Sequence, residues 1–452
     1  MSFRRVLIAN RGEIAVRIMR TCEKLGIETV LAASEADLDS MAARTADHVI
    51  CIGAAAPSAS YLNVDGVIAA AVTMKADAIH PGYGFLSEDP KFCAACEREG
   101  IAFIGPTVAQ LDAAGDKLKA RAAAVASGLP VIPGGEVRTV EEARQLAQEI
   151  GWPALVKSVG GGGGRGIRLV NDPKELEHAL ALAMAEAQAG FGDARVYLEG
   201  FIARGRHIEV QILGDGHDVI HLGTRDCSIQ RRYQKVVEEA PAPGISENLR
   251  GALQRAAVAF AGSLHYRGAG TVEMLVDCER EAFFFLEMNA RLQVEHPVTE
   301  EICGLDLVEE QINIAEGRAL RWKQTDIVFS GHAIECRVNA EDWTREFHPS
   351  PGMVSYAALP AGDGVRFDSH IQAGTAVPPF YDSLLGKIIA RGTDRADALR
   401  RMRNALKVCE IGGVNTNLPI HSALLETEEY ERGAVDTGFL QRFLEGHAIH
   451  AA

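Results

Sequence analysis

Residues 282–286 read Ala-Phe-Phe-Phe-Leu, an apolar run of the length and aromatic content of a buried strand. Its neighbours turn that run into a constraint on the fold. Residues 270–277 read as a second strand and residues 278–281 as the turn between them, so the two pair as an antiparallel hairpin folded near Arg280. That pairing sets Glu273 roughly opposite Glu287, and carboxylates facing each other across a ladder repel. Asn289 shares the face of Glu287, because strand side chains repeat every second residue. Two carboxylates and an amide oxygen at one spot are hard donors. They suit Mg²⁺, which takes few protein ligands and shares its other positions with water and phosphate. Arg291, Gln293, Glu295 and His296 follow directly. Charges spaced by two after a buried strand point one way, and the stretch reads as an active site.

A chain of 452 residues has room for about three domains. Its 46 basic and 61 acidic residues leave a net charge of −15, which argues against nucleic acid as a partner. No stretch is long and apolar enough to span a bilayer, and residues 1–5 run into a strand without a cleavable apolar segment. Nine scattered cysteines form no framework and fit a reducing cytoplasm. Cys93 and Cys96, a lone C-x-x-C in an expected helix, read as buried or incidental thiols.

Strand and helix patterns alternate over roughly the first hundred residues, which implies a doubly wound parallel sheet. Residues 10–13 (NRGE) hold one glycine where a dinucleotide fingerprint needs three, so NAD is excluded. Residues 80–85 (HPGYGF) follow a strand at its carboxyl end, and read equally as a ligand loop or a rigid turn. Residues 107–127 read as one helix carrying Lys117 and Lys119, with Pro130 and Pro133 marking a boundary. Five glycines, residues 160–164, lie between two strands and are flanked by Lys157 and Arg165. Without side chains, backbone N–H groups approach phosphate closely, so the stretch is expected to be a lid over polyphosphate. The end of the strand at 195–199 is placed to read an adenine ring. Arg225, Arg231, Arg232 and Lys235 crowd eleven residues of an acidic chain and suggest an anion site. Arg337, alone on a strand, reads as a surface residue. Residues 350–446 read as short strands with two helices, 396–408 and 417–425.

Taken together, residues 8–15 (IANRGEIA), 80–88 (HPGYGFLSE), 160–168 with Lys157, 225–239, 287–300 (EMNARLQVEHPVTE) and 335–342 (ECRVNAED) closely resemble the biotin carboxylase family of the ATP-grasp superfamily. The resemblance spans essentially the whole chain. It implies a three-domain α/β and α+β enzyme: an N-terminal doubly wound domain (1–115), an ATP-grasp portion with a glycine-rich lid (116–203) and catalytic part (204–330), and a mixed C-terminal domain (331–446). The implied reaction is ATP-dependent carboxylation of biotin by bicarbonate through carboxyphosphate. By resemblance Lys117, Lys157, Gly163, Gly164, Glu199, Ile202, His207, Tyr233, Leu275, Glu273 and Glu287 hold ATP, and Glu273, Glu287 and Asn289 hold Mg²⁺ or Mn²⁺. Lys235, Arg291, Gln293 and Val294 bind bicarbonate, Glu295 is the base, and Arg337 and Tyr83 receive biotin. A biotinylated carrier protein and a carboxyltransferase subunit are the implied partners, because no biotin-attachment motif is present. A homodimer is implied too, with Arg17 and Arg20 at its interface and Lys24 where relatives often have an acid.

Three positions depart from the family's pattern. Tyr233 stands where histidine is usual, Thr224 where glutamate precedes Arg-Asp-Cys-Ser, and Gly200 where a lysine lies beside the adenine pocket. Tyrosine neither carries a cation nor relays protons near neutral pH as histidine does, so the acceptor contacts are where a specialised paralogue would differ. Two other readings stay open: an ATP-grasp carboxylase of urea or another small nitrogen compound, and a non-catalytic nucleotide-binding paralogue.

Overall fold

The structure, a computed structural model, describes residues 2–159 and 167–448. Five parallel strands form the first sheet in the order His48–Cys51, Glu28–Ala33, Arg5–Ile8, Ala78–His80, Ala102–Phe103. Strand order reverses beside Arg5–Ile8, and such a switch point opens a crevice at the carboxyl ends of the strands. Asn10 closes that crevice from below, its Nδ2 donating to the carbonyls of Pro81 and Tyr83, both at 2.7 Å. Residues 80–85 are thus both a braced turn and a wall of the cavity described below.

The helix Gly12–Leu25 packs one face into the core and stops at Gly26, which takes φ 69° and donates its N–H to Cys22 and Glu23. Arg17 on this helix does not reach a subunit surface. Its guanidinium turns inward to Glu300 Oε1 (2.7 Å) and Asp306 Oδ1 (2.8 Å), and only Arg20 stays half exposed. The single helix expected at 107–127 is two, Val108–Gly115 and Lys117–Ala126. Asp116 leaves the helical conformation (ψ 113°) and its carboxylate accepts from the N–H groups of Leu118 and Lys119, so a second N-cap starts there.

A four-stranded sheet, Gly134–Val137, Val196–Gly200, Ala154–Ser158, Ile167–Val170, is covered by the helices Val140–Ile150 and Leu176–Phe191. Its core is slight, built largely of alanine and valine. The glycine-rich residues Gly163 and Gly164 lie outside the described residues, between the paired strands Ala154–Ser158 and Ile167–Val170.

The largest sheet has eight antiparallel strands in the order Ala282–Asn289, Arg267–Asp277, Gly205–Asp215, Val219–Arg231, Gln234–Ala240, His332–Asn339, Leu384–Gly392, Val365–Ser369. Strands on either side of residue 330 therefore share one hydrogen-bonded surface. Beyond it, Arg395–Val408 and Leu418–Leu425 are helical as expected, and Glu428–Glu431 and Phe439–Ala448 add two helices that the glycines at 433 and 438 mask in the sequence. Among the described residues, no helix is long and apolar enough to cross a membrane.

The hairpin predicted from residues 270–289 forms, and helix Glu247–Ser263 supports it through Phe260, which packs on Phe285 with ring centroids 5.1 Å apart. Phe260 is fully buried. Phe260→Ala should therefore cost about 3–5 kcal/mol, read as a lowered urea midpoint.

Candidate active site

The hairpin places Glu273 directly opposite Glu287. Counting back from the Asp277–Ala282 pair would match Glu273 with Leu286, but the register slips after Met274–Phe285, leaving Leu286 as an extra residue. This bulge turns Glu287 onto the face of Glu273. On the other side of the same strand Glu209 faces Glu273, and Arg225 faces Glu209. Four neighbouring strands thus present Glu287, Glu273, Glu209 and Arg225 in one row.

Arg225 is fully buried and ends the row. It donates to Glu209 Oε1, to Gln211 Oε1 (2.7 Å), Thr299 Oγ1 (2.8 Å) and Thr271 Oγ1 (3.0 Å). Lys235 Nζ meets Glu209 Oε2 at 2.6 Å, Glu273 Oε1 at 2.7 Å and Glu295 Oε1 at 2.6 Å. The remaining oxygen of Glu273 lies 3.1 Å from His207 Nε2. Burial pushes the Glu287 carboxyl up, and the facing Glu273 pushes it further. Burial acts to raise the Glu273 carboxyl as well, but Lys235 and His207 overcome it and hold it well below the usual range.

The donor set fits a hard divalent cation. Glu287 repels its neighbour, Asn289 adds an amide oxygen on the same face, and Lys117 and His207 offset only part of the negative charge. Asn289 Oδ1 accepts from Arg291 Nη2 at 3.0 Å, so the amide is already aimed by its neighbour.

Arg291 is in turn held by Glu88, Nε to Oε2 at 2.7 Å, while its Nη1 donates to Gln293 Oε1 at 3.2 Å. Glu295 has no exposed surface and acts as a bridge: Oε1 on Lys235, Oε2 on Arg337 Nη2 at 2.9 Å. Burial raises its carboxyl, but Lys235, Arg337 and Arg225 outweigh that and keep it well below the ordinary range. Arg337 also donates from Nε to Glu238 Oε1 at 2.6 Å, so the arginine that reads as a surface residue is in fact clamped between two buried carboxylates. Lys387, fully buried, ties Val294 O (2.7 Å) to Glu13 (3.0 Å), and Glu13 accepts the Tyr83 hydroxyl.

One cavity of about 2460 Å³ is lined by Glu88, Lys235, Glu273, Glu287 and Asn289, while Glu295 is fully buried and not part of the lining. Lys117, Lys157, Glu199, Ile202, His207, Tyr233 and Leu275 line it too, as do Tyr83, Arg291, Gln293, Val294 and Arg337. Lys157 and Glu199 form an ion pair across neighbouring strands. The space exceeds that of a pocket for one small ligand.

The four basic residues of 225–235 do not form one anion site. Arg225 points into the sheet interior, Lys235 into the carboxylates, and Arg231 and Arg232 lie at a hairpin tip beside Glu346 and Phe347. Of the three departures, Gly200 and Tyr233 line the cavity. Thr224 is buried in the sheet, accepting from Arg250 Nη1 (2.9 Å) and Ala242 N (3.2 Å). Glu88, Glu209 and Glu238 escape a reading of the sequence; Glu88 and Glu238 carry a signal, as members of the stretches 80–88 and 225–239, and Glu209 carries none.

Three family models cover the chain. Biotin carboxylase, N-terminal domain, matches residues 2–111; carbamoyl-phosphate synthase L chain, ATP binding domain, matches 116–323; and biotin carboxylase C-terminal domain matches 335–442. A biotin carboxylase of Nostoc sp. is 50% identical over 444 residues, 98% of this chain and 99% of that one. The biotin carboxylase–beta-gamma-ATP complex from Campylobacter jejuni is similar with a TM-score of 0.95 at 45% identity, covering 98% of this chain and 99% of its own. The biotin carboxylase domain dimer of the Hydrogenobacter thermophilus 2-oxoglutarate carboxylase, with MgADP, ADP and bicarbonate, gives a TM-score of 0.95 at 42% identity and 98% coverage of both chains.

Removing one member of a buried ion pair leaves the other charge uncompensated. Arg225→Met should destabilise the protein by about 3–5 kcal/mol, read by urea unfolding. Adding Glu209→Gln to the same chain should restore part of that loss, because the orphaned charge is then gone.

Proposed function

The chain belongs to the biotin carboxylase family, and from that premise we propose that it carboxylates biotin with ATP and bicarbonate, its residues dividing the work along the single cavity. The observation that carries this reading is the bridge through Glu295. One carboxylate links Lys235, at the phosphate end, with Arg337, at the acceptor end.

Leu275, Ile202, Glu199 and Tyr233 surround the nucleoside, while Lys117, Lys157 and His207, with Gly163 and Gly164, take the phosphates. Glu273, Glu287 and Asn289 would hold Mg²⁺ or Mn²⁺, which neutralises charge developing on the transferring phosphoryl group. Arg291, Gln293, Val294 and Lys235 hold bicarbonate, and Glu295 accepts its proton. A bicarbonate oxygen then bonds to the γ-phosphorus as the bond to the ADP oxygen breaks, giving carboxyphosphate and ADP. Carboxyphosphate separates into CO₂ and phosphate. Phosphate takes the N1 proton of biotin, whose nitrogen bonds to CO₂, and Arg337 stabilises the charge on the ureido oxygen. Tyr83, pinned to Glu13, lines the acceptor end.

The acceptor is expected to arrive on a biotinylated carrier protein and to be discharged by a carboxyltransferase subunit, with the chain working as a homodimer. The relative from Hydrogenobacter is a domain dimer. Tyr233 at the cavity wall keeps a small nitrogen acceptor within the same test.

ATP cleavage should require bicarbonate and a divalent cation and should rise with free biotin. Glu295→Gln should lower it by about 10²–10⁴-fold. Arg337→Ala should keep the bicarbonate-dependent cleavage but lose about 10²-fold or more of the biotin-stimulated rate. Cleavage indifferent to bicarbonate would overturn the reading, and stimulation by urea in place of biotin would reassign the acceptor.

A further inference from the structure

Glu335 is fully buried, and neither of its carboxylate oxygens has a hydrogen-bond partner among the described residues. It stands directly opposite Glu238 in the antiparallel pair Gln234–Ala240 and His332–Asn339, so the two side chains share one face. Glu238 Oε1 holds Arg337, yet Glu238 Oε2 is also buried without a partner. Three carboxylate oxygens are thus left bare on two facing residues. The cations on the same face are engaged elsewhere: Lys387 with Val294 and Glu13, Arg337 with Glu238 and Glu295. On its other flank Glu335 faces Ile389, part of an apolar cluster with Ala240, Val298, Ile302 and Ala333.

Two facing carboxylates in such a place cannot both ionise at neutral pH. A single proton between them satisfies the bare oxygens, since a protonated carboxyl donates where a carboxylate only accepts. We propose that Glu335 is a positioning residue for the acceptor half of the biotin carboxylation inferred above: it keeps a proton, donates it to Glu238 Oε2, and so fixes the place and net charge of Arg337. Burial raises the Glu335 carboxyl well above the ordinary range. Lys387 opposes this, while Glu238 adds to it. Burial likewise pushes Glu238 up to about 7, against the pull of Arg337. The groups facing the pair are Arg337 on its own strand, Lys387 on the next, Lys235 on the strand of Glu238, Cys227 on the strand beyond that, and Glu295 at the start of the helix above.

The sign follows from the charges. Loss of the shared proton at high pH puts a second negative charge beside Arg337, which then neutralises less of the charge forming on the acceptor oxygen. The acceptor step weakens as pH rises, whereas bicarbonate-dependent ATP cleavage, at the far side of Glu295, does not depend on this pair.

The proposal rests on the biotin reading, and the test separates the two. Biotin kcat/KM and biotin-independent ATP cleavage are measured against pH for the full chain and for Glu335→Gln, whose amide N–H replaces the O–H donor. In the unaltered protein biotin kcat/KM should fall about tenfold per pH unit on an alkaline limb that ATP cleavage lacks. Glu335→Gln should stay within about twofold of it at neutral pH and lose that limb. An unchanged limb in Glu335→Gln, or an equal loss at every pH in folded protein, overturns the proposal. Infrared difference spectra need no turnover: a protonated-carboxyl band present at neutral pH, absent in Glu335→Gln and lost across the alkaline limb, supports it. Absence of that band from the unaltered protein overturns it even if the variant does not fold. Failure of the biotin reading itself shows separately, as no biotin stimulation in the unaltered protein.

Discussion

Lys235 carries one positive charge into contact with three carboxylates, and the geometry around it depends on that balance. An ammonium buried alone would lose its proton, and three carboxylates buried together would not all ionise. Together, with Arg225 at one edge and Arg337 at the other, they form a network in which each charge is paired with the next. The balance is incomplete at Glu287, whose raised carboxyl is the one a divalent cation would restore. Lys235 and Arg337 therefore meet through the one carboxylate they share, Glu295.

The polypeptide reaches this arrangement through small irregularities of strand pairing. Ile229 faces Val237 but Gln230 faces Lys235, so Val236 is an extra residue. By simple alternation Lys235 and Glu238 would point to opposite faces; the bulge lets both serve one site. The slip at Leu286 does the same for Glu287. Bulges next to active sites re-aim side chains, and here two of them set the row of charges.

These irregularities explain what could be read from residues alone. The hairpin of Glu273 and Glu287 was legible because its turn is short, so local spacing limits the pairing to within one residue. The N-terminal parallel sheet was legible from alternating strand and helix patterns. Arg337, Glu209 and Glu238 were not, because their partners come from strands whose order in the eight-stranded sheet no local pattern encodes. The basic run 225–235 misled for a related reason: it crosses from sheet interior to hairpin tip and back, so adjacency in sequence does not mean a common environment. Asp116 was hidden by helix propensity on both sides, although its side chain is a good N-cap.

The hairpin tip carries Tyr233 without disturbing the charge network. Arg232 and Tyr233 take φ of 47° and 66°, and the neighbouring Glu346 and Phe347 take 52° and 56°. A two-residue hairpin turn with positive φ favours asparagine and glycine; bulkier residues there cost of order 1–3 kcal/mol each. The two turns brace one another: the Arg231 guanidinium lies 4.3 Å from the Phe347 ring centroid, and Arg232 is 3.6 Å from Glu346. Tyr233 is thereby held, partly exposed, on the wall of the cavity. Lys235, two residues away, remains fixed by carboxylates the turn does not touch.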